Sequence, residues 1–348
     1  MNPALATVGN LQIDSVIAAS GEVGLNFAGG NGGYSAVGAR LWARECLLIA
    51  QMPENFPAKW LDELDKAGVS TERVTPIAGF RPESSEWFLY QADGSRQDFI
   101  FASVADLVPY GYHFPPDPGT SLSLSQEKVV RLKTAVMSAS RGRPEPRPMI
   151  NLSARVQQIL SDASNVQAIH LAPSSYDMQL ALVRALAAQG KMISLDPGHY
   201  VKGLRPERLA DLLKHVTIFA PSEREVYEFR GECSLEQAAN DFAAMGAAIV
   251  VIKVGPRGAL VLRRDTGKLE RVPAFPSRTL DPTGCGDSFC SGFLAGYWET
   301  GDALQAARYG TVSASYTVEG FGVNYALRFT RQDAEQRLAA LQRNLSTA

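Results

Sequence analysis

From Ala168 onward the chain alternates between short apolar runs and longer segments of helical period, and no other feature restricts its fold as strongly. Ala168–Ala172 (AIHLA) reads as a strand, Asp177–Gln189 as a helix stopped by Gly190, and Met192–Asp196 (MISLD) as a strand. Pro206–Lys214 reads as a helix and Val216–Ala220 (VTIFA) as a strand. Helices over Glu223–Arg230 and Leu235–Met245 follow, then strands at 248–254 and 258–264. Helices beginning near Cys285, Ala303 and Arg331 complete the chain. Strands that are apolar throughout are covered on both faces, so the pattern predicts an α/β fold with a mostly parallel central sheet flanked by helices.

The first half is less regular. Ala4–Val8 reads as an opening strand, Ser35–Arg44 as a helix, Cys46–Ala50 as a buried strand, and Leu61–Lys66 as a helix ended by Gly68. Trp87–Tyr90 and Gln97–Phe101 flank Asp93-Gly94, a strong hairpin signal. This hairpin does not suit a parallel layer. It predicts a small β lid made with sequence around Ile13–Phe27, the lid elements spanning about 11–28 and 85–103. Trp87, Phe88, Tyr90, Phe99 and Phe101 are suited to cross-strand pairs within the hairpin, or to packing on a second lid. Residues 102–165 hold Pro115-Pro116, a Ser-rich run and Arg141-Gly142-Arg143-Pro144-Glu145-Pro146-Arg147-Pro148, and read as an irregular insertion with one or two short helices. The whole of 1–348 is read as one domain.

Composition limits the partners. A formal net charge of −2 gives no electrostatic case for nucleic acid or an anionic membrane. The four cysteines have no CxxC spacing and no clustered histidines, which predicts neither a zinc site nor a disulfide framework and suits a reducing cytoplasm. No apolar run reaches the roughly 18–20 residues of a membrane span, and no signal-peptide pattern opens the chain. The expected location is cytoplasmic.

Two glycine-rich runs carry the chemistry. Asp281-Pro282-Thr283-Gly284-Cys285-Gly286-Asp287-Ser288-Phe289 precedes a long apolar helix rich in small residues. Glycines at such a helix start let backbone N–H groups converge on an anion. An aspartate there repels phosphate, yet it is well placed to take a proton from a hydroxyl attacking one. The plainer reading of Asp287 is a capping residue in a glycine turn. The second run, Gly29-Gly30-Asn31-Gly32-Gly33-Tyr34, permits close approach of a ligand to the backbone, with Asn31 able to donate and accept. There is no G-x-x-x-x-G-K-[ST] loop, and the second run lacks the G-x-G-x-x-G spacing of a dinucleotide site.

DPTGCGDSF resembles the D-T-x-G-A-G-D signature of the ribokinase-like (PfkB) carbohydrate kinases. Val8-Gly9-Asn10 with Asp14, the glycine run at 29–34, the Asp93-Gly94 hairpin, Leu195-Asp196-Pro197, Ser222–Glu225 and Lys253–Gly258 are similar to that family's other landmarks, in its order. The resemblance implies an ATP-dependent kinase that phosphorylates a hydroxyl of a sugar or small polyol, with ATP and Mg²⁺ bound. The alternatives are a nucleoside kinase of the same fold, or a non-catalytic binder of sugar or nucleotide. It implies Asp287 as base, the amides of Gly284, Cys285 and Gly286 as anion hole, and Asp14, Gly30 and Asn31 as acceptor contacts. Ser222, Glu225, Lys253, Gly255 and Gly258 would line the nucleotide, Glu225 acting on Mg²⁺ through water. Asp281 would help hold a monovalent cation such as K⁺, and two lids would pair in a homodimer. Residue by residue the plainer readings are a turn cap for Asp14, a capping box for Ser222 with Glu225, and a solvated edge charge for Lys253. Ser222 for Asn, Pro282 for Thr, Cys285 for Ala and Tyr34 for Asn depart from the family pattern.

Overall fold

The computed structural model describes residues 4–77, 85–115, 117–141 and 150–346. Pro116, residues 142–148 of the basic proline-rich run and the side chain of Phe99 fall outside the described residues. In chain order the strands are β1 (Leu5–Asn10), β2 (Gln12–Ile17), β3 (Glu22–Gly29), β4 (Cys46–Pro53), β5 (Val69–Ile77), β6 (Ser85–Tyr90) and β7 (Arg96–Ala102). They continue as β8 (Thr120–Ser123), β9 (Ala168–Leu171), β10 (Met192–Leu195), β11 (Ile218–Phe219), β12 (Ile249–Lys253), β13 (Ala259–Arg263) and β14 (Lys268–Val272).

Among the described residues nine strands form a central sheet in the order β14-β13-β12-β11-β10-β9-β1-β4-β5. It is parallel from β12 through β5, with β13 and β14 added antiparallel at one edge. The expected strands at β9 to β13 are all present. β5 and β14 were not anticipated, because VSTERVTPI and KLERV mix charged with apolar residues, as sheet-edge strands do. One face packs on helices that contribute Leu182, Leu209 and Phe242, and the other on helices that contribute Phe293, Ala306 and Val312.

Three helices on that second face touch backbone to backbone. Asn31–Arg40, Cys285–Thr300 and Ala303–Thr317 approach through glycines: a Cβ on Gly38 would stand 2.2 Å from the Ser288 carbonyl, and one on Gly292 would stand 2.3 Å from Ser313 Oγ. The first of these helices begins at Asn31, four residues before its expected start. Gly32 and Gly33 lie in its first turn, where propensity argues against helix, but close packing prevails, Gly32 against the backbone of Gly9 and Asn10 and Gly33 against Leu11 and Val323.

The five-stranded lid, ordered β7-β6-β2-β3-β8, continues from β1 after a single residue, Leu11. Period-2 alternation gives it two apolar faces. Val16, Phe88 and Tyr90 face inward with Phe321, whereas Ile17, Trp87 and Leu89 face outward. The outer face packs on a helix of the same chain, Gln126–Ser140, through Val129, Leu132, Ala135 and Val136.

That helix corrects the reading of 102–165 as largely irregular. The segment holds a 3₁₀ helix (Val104–Tyr110), strand β8, and helices of 15 and 11 residues at Gln126–Ser140 and Leu152–Asp162. The i, i+3, i+6, i+7 spacing from Val129 carries the first of these helices, but flanking serines obscure it. Trp87 pairs with Ile100 across the hairpin, as expected. It is fully buried under this cover, with its indole N–H donating to the Ala102 carbonyl (2.9 Å).

The cover helix is therefore structural. Leu132→Ala should lower stability by about 2–5 kcal/mol in a denaturant titration. A change within about 0.5 kcal/mol, as at an exposed surface site, would mean the helix is not part of the lid's core.

Candidate active site

Asn10, Gln51, Asp196 and Lys253 stand at or just past the carboxyl ends of parallel strands, and the lid's inner face lies over them. Between them runs a cleft of about 1460 Å³. Clefts at these strand ends are the usual ligand sites of open α/β sheets. Asp14, Gly30, Asn31, Ser222, Glu225 and Lys253 line it, as do Gly255, Gly258, Gly284, Cys285, Gly286 and Asp287. Asp281 is brought to the same region but is buried behind the turn.

The turn at 282–287 is held open by its conformation. Gly284, with φ +73°, caps the Cys285–Thr300 helix, and a Cβ there would stand 2.0 Å from the Tyr34 ring. The Cys285 N–H turns back to the Pro282 carbonyl (3.3 Å), whereas no backbone acceptor takes the N–H of Gly286 or Asp287. Of the expected 284–286 set the Cys285 amide is thus engaged, the Gly284 and Gly286 amides have no backbone acceptor, and the Asp287 amide joins them. Asp281 shapes the turn by accepting from the Thr283 N–H (2.9 Å), and Tyr90 hydrogen-bonds to Thr283 Oγ1 (2.9 Å), joining lid to turn.

Asp287 is half-buried in the cleft. Desolvation raises its pKa well above the ordinary carboxylate range, and the neighbouring Asp196 and Glu225 carboxylates add to this. The Lys253 charge opposes them. A base with a raised pKa is a stronger proton acceptor once ionised.

At the other end of the cleft Asp14 is buried, and burial with the nearby Glu86 carboxylate pushes its pKa up. Its Oδ2 accepts from the Gly30 N–H (3.3 Å) and its Oδ1 has no close partner. The adjacent Gln12 amide donates to Glu86 and also acts on Asp14, drawing its pKa down against the effect of burial. A Cβ on Gly29 would stand 1.8 Å from Asp14 Oδ2, so the glycine run makes room for this carboxylate. Asp14 lies within strand β2 and not at a turn. Asn31 lines the cleft and is also held by the backbone: its Oδ1 accepts from the Asn10 N–H and its Nδ2 donates to the Pro173 carbonyl, both at 2.9 Å. Its first-choice partners are backbone, and it ties the ends of two strands together.

Lys253 is not a solvated edge charge. Its ammonium is buried, paired with Asp196 and 3.3 Å from Cys290 Sγ. Burial alone would lower its pKa; the charges of Asp196, Cys290 and Glu225 overcome this and raise it. A Cβ on Gly286 would lie 3.4 Å from the Lys253 nitrogen, so the cation stands beside the turn. Ser222 and Glu225 do form a capping box, with Glu225 Oε2 accepting from the Ser222 N–H (2.7 Å). Glu225 nevertheless lines the cleft, and desolvation with the Asp196 charge raises its pKa. The cap and the site use the same carboxylate. Gly258 is required by the strand beside it, where a Cβ would meet the Val272 carbonyl at 1.9 Å, while Gly255 is open to the cleft.

Sequence reasoning missed Asp196, although Leu195-Asp196-Pro197 stood out as a strand end; its partner was legible only in three dimensions. It also missed Arg96, which lines the cleft 4.6 Å over the Phe88 ring and donates to Asp98 (2.7 Å). The signal available was the alternation of Phe88 and Tyr90 on one face of the hairpin. His170 was assigned nothing and is a buried core histidine bonded to Ser194 Oγ (3.1 Å), with burial lowering its pKa to about 4.

Residues 144–329 match the family described as "pfkB family carbohydrate kinase". A cytidine kinase of Thermococcus kodakarensis is 24% identical over 322 residues, covering 91% of this chain and 97% of that protein. A nucleoside kinase of Methanothermobacter thermautotrophicus is 27% identical over 45% of this chain and 50% of its own length. Among solved structures, Burkholderia thailandensis nucleoside kinase in complex with inosine superposes with a TM-score of 0.68 at 19% identity, over 97% of this chain and 98% of that one. Arabidopsis thaliana ribokinase complexed with ribose and ATP gives 0.65 at 19% identity, over 97% and 99%. At these identities the structural matches establish the ribokinase-like fold, with its central sheet and its smaller lid sheet.

Lys253 lowers the Asp287 pKa, so removing the cation should raise it. In Lys253→Met the Asp287 carboxyl, followed by carbon NMR against pH, should titrate about 1–3 pH units higher. An unmoved titration would separate the two groups.

Proposed function

Because this chain belongs to the pfkB family of carbohydrate kinases, we propose that it transfers the γ-phosphoryl of ATP to a hydroxyl of a nucleoside, with Asp287 as base. The observation that carries this reading is Asp287 beside the unpaired Gly286 and Asp287 amides, in one cleft with the Asp14 carboxylate. A pure binder has no need of a base with a raised pKa at an anion-binding turn.

The acceptor hydroxyl gives its proton to Asp287 as its oxygen bonds to the γ-phosphorus. The bond from that phosphorus to the bridging oxygen breaks, and ADP leaves with the electron pair. The Gly286 and Asp287 amides, the helix start and Lys253 face the charge that gathers on the transferred group. Gly255 and Gly258 border the nucleotide. Lid closure, held by Tyr90 on Thr283, excludes water as a competing acceptor.

The donor set suits a magnesium ion carried mainly by nucleotide phosphates. Among the described residues no group of three or more His, Cys, Asp or Glu side chains forms a metal cage, and magnesium is commonly held by one or two carboxylates plus phosphates. Glu225 and Asp196 would hold it, through water, and the ion would neutralise phosphate charge. Asp281, with Oδ2 unpartnered and its pKa raised by burial to about 6, is the carboxylate that would serve K⁺.

A nucleoside is favoured over a free sugar by the full-length similarity to a cytidine kinase and by Phe88, Arg96 and Phe101 in the cleft lining, Arg96 lying over the Phe88 ring. Aromatic and guanidinium planes stack on bases. A sugar is the second reading, supported by the hydroxyl-reading groups Asp14, Gln12 and Glu86. The lid's outer face is occupied by the chain's own helix, so the site does not call for a second copy. No helix among the described residues is long and apolar enough to cross a membrane.

The test is ADP release with ATP-Mg²⁺ across nucleosides, sugars, sugar acids and polyols, wild type beside Asp287→Asn. Turnover should be seen with a nucleoside and fall by about 10²–10⁴ in the variant. ATP binding without turnover on any acceptor would favour the non-catalytic binder. Asp287→Asn should also melt higher than wild type at alkaline pH. Because the folded pKa is raised to about 8, wild type loses stability progressively as pH rises from the unfolded value of about 4 to the folded one, and no further above it. The gain should therefore be full at alkaline pH and vanish toward about pH 4.

A further inference from the structure

A second hollow, of about 690 Å³, shares no lining residue with the cleft. Phe27, Leu280, Phe321 and Tyr325 give it apolar surface, and Lys66 and Arg328 give it cations. Glycines set the rings in place. A Cβ on Gly320 would stand 2.1 Å from the Tyr325 ring, and one on Gly24 would stand 2.6 Å from the Phe321 ring. Phe27 and Phe321 meet at 5.6 Å between centroids, and Phe27 and Tyr325 remain half-exposed.

The two cations are exposed, and among the described residues neither has a carboxylate partner. Arg224, Arg257 and Arg331 are exposed as well, yet each is ion-paired. The Arg328 guanidinium instead lies 4.9 Å over the Tyr325 ring. Glu63, the one carboxylate in the lining, accepts from the Asn324 amide. The hollow therefore combines flat aromatic surface with a net positive charge that nothing in the described chain neutralises.

Two lining residues continue into the kinase machinery. Leu280 precedes Asp281, and the N–H groups of both donate to the Val318 carbonyl, at 2.8 and 3.1 Å. Phe321 packs with Val16, Phe88 and Tyr90 on the lid's inner face, and Phe88 lines the cleft. The geometry points to an effector site for a nucleoside monophosphate, its base against Phe27 and Tyr325 and its phosphate between Lys66 and Arg328. Bases stack on aromatic and guanidinium planes. A phosphate monoester carries about −1.5 to −2 charge at pH 7, which two cations match. A magnesium-bound triphosphate suits the hollow less, because its single carboxylate is already engaged. The inference rests on the nucleoside reading for the origin of the ligand, which is then the product of the reaction. Its occupancy holds the lid where it stands against the turn and slows turnover.

Calorimetry on the full chain tests it, with cytidine 5′-monophosphate as probe and the cleft filled by saturating cytidine and a non-hydrolysable ATP analogue with Mg²⁺. Wild type should still bind the probe, and the double variant Lys66→Gln, Arg328→Gln should bind it about 10–100-fold more weakly. Inorganic phosphate, which carries only the anionic half, should bind more weakly than the probe. In turnover assays at saturating ATP and acceptor, the monophosphate should lower the wild-type kcat. The double variant should keep the wild-type rate in its absence and lose that inhibition, since neither side chain lines the cleft. No binding once the cleft is filled, equal affinity in the double variant, equally tight inorganic phosphate or an unchanged kcat overturns the inference, and each leaves the nucleoside reading standing. If wild type phosphorylates a sugar and no nucleoside, the nucleoside reading falls. The calorimetry needs no turnover, so loss of probe binding in the double variant then still upholds the site, and its absence removes it.

Discussion

The site depends on how closely three helices can approach. Gly38 lies against the Ser288 backbone, and Gly292 lies against Ser313 and the Cα of Gly310. These contacts bring the starts of the Asn31–Arg40 and Cys285–Thr300 helices to the same end of the sheet. The two glycine runs, more than 200 residues apart in sequence, thereby face one cleft. A methyl group at Gly38 would meet backbone, which cannot rotate away as a side-chain end can. The long apolar helix after the turn is rich in glycine and serine for this reason: its side chains are small where another backbone must lie.

From that contact the charges acquire their order. Asp287 leaves the turn into the space that Lys253 enters from β12 and Asp196 from β10. One ammonium is set among three carboxylates, and each raises or lowers the proton affinity of the others. Strand order, not sequence proximity, creates this group, because β10, β11 and β12 are neighbours whose carboxyl ends carry Asp196, Ser222 and Lys253.

Much of this was legible in the sequence. Uninterrupted apolar runs from Ala168 onward gave the parallel sheet, and the DPTGCGDSF turn pointed to Asp287 and its amides. Burial and pairing were not legible. Lys253 ends a strand and looks solvated until Asp196 is seen across from it. Asn31 looks available until Asn10 and Pro173 are found on either side. The Gln126–Ser140 helix was hidden because its apolar period is short and lies among serines, lysines and arginines, so only the lid it covers explains its existence. Tyr34 stood out as a departure from a pattern, but its position under Gly284 belongs to the fold alone.

The backing of the lid by its own chain has a consequence for behaviour in solution. Ile17, Trp87 and Leu89 find their apolar cover at Val129, Leu132 and Val136, within the same molecule. Association of two chains would make the stiffness of such a sheet a function of concentration. Here that cover is supplied from within the chain, so its contribution to the sheet's stiffness does not change on dilution.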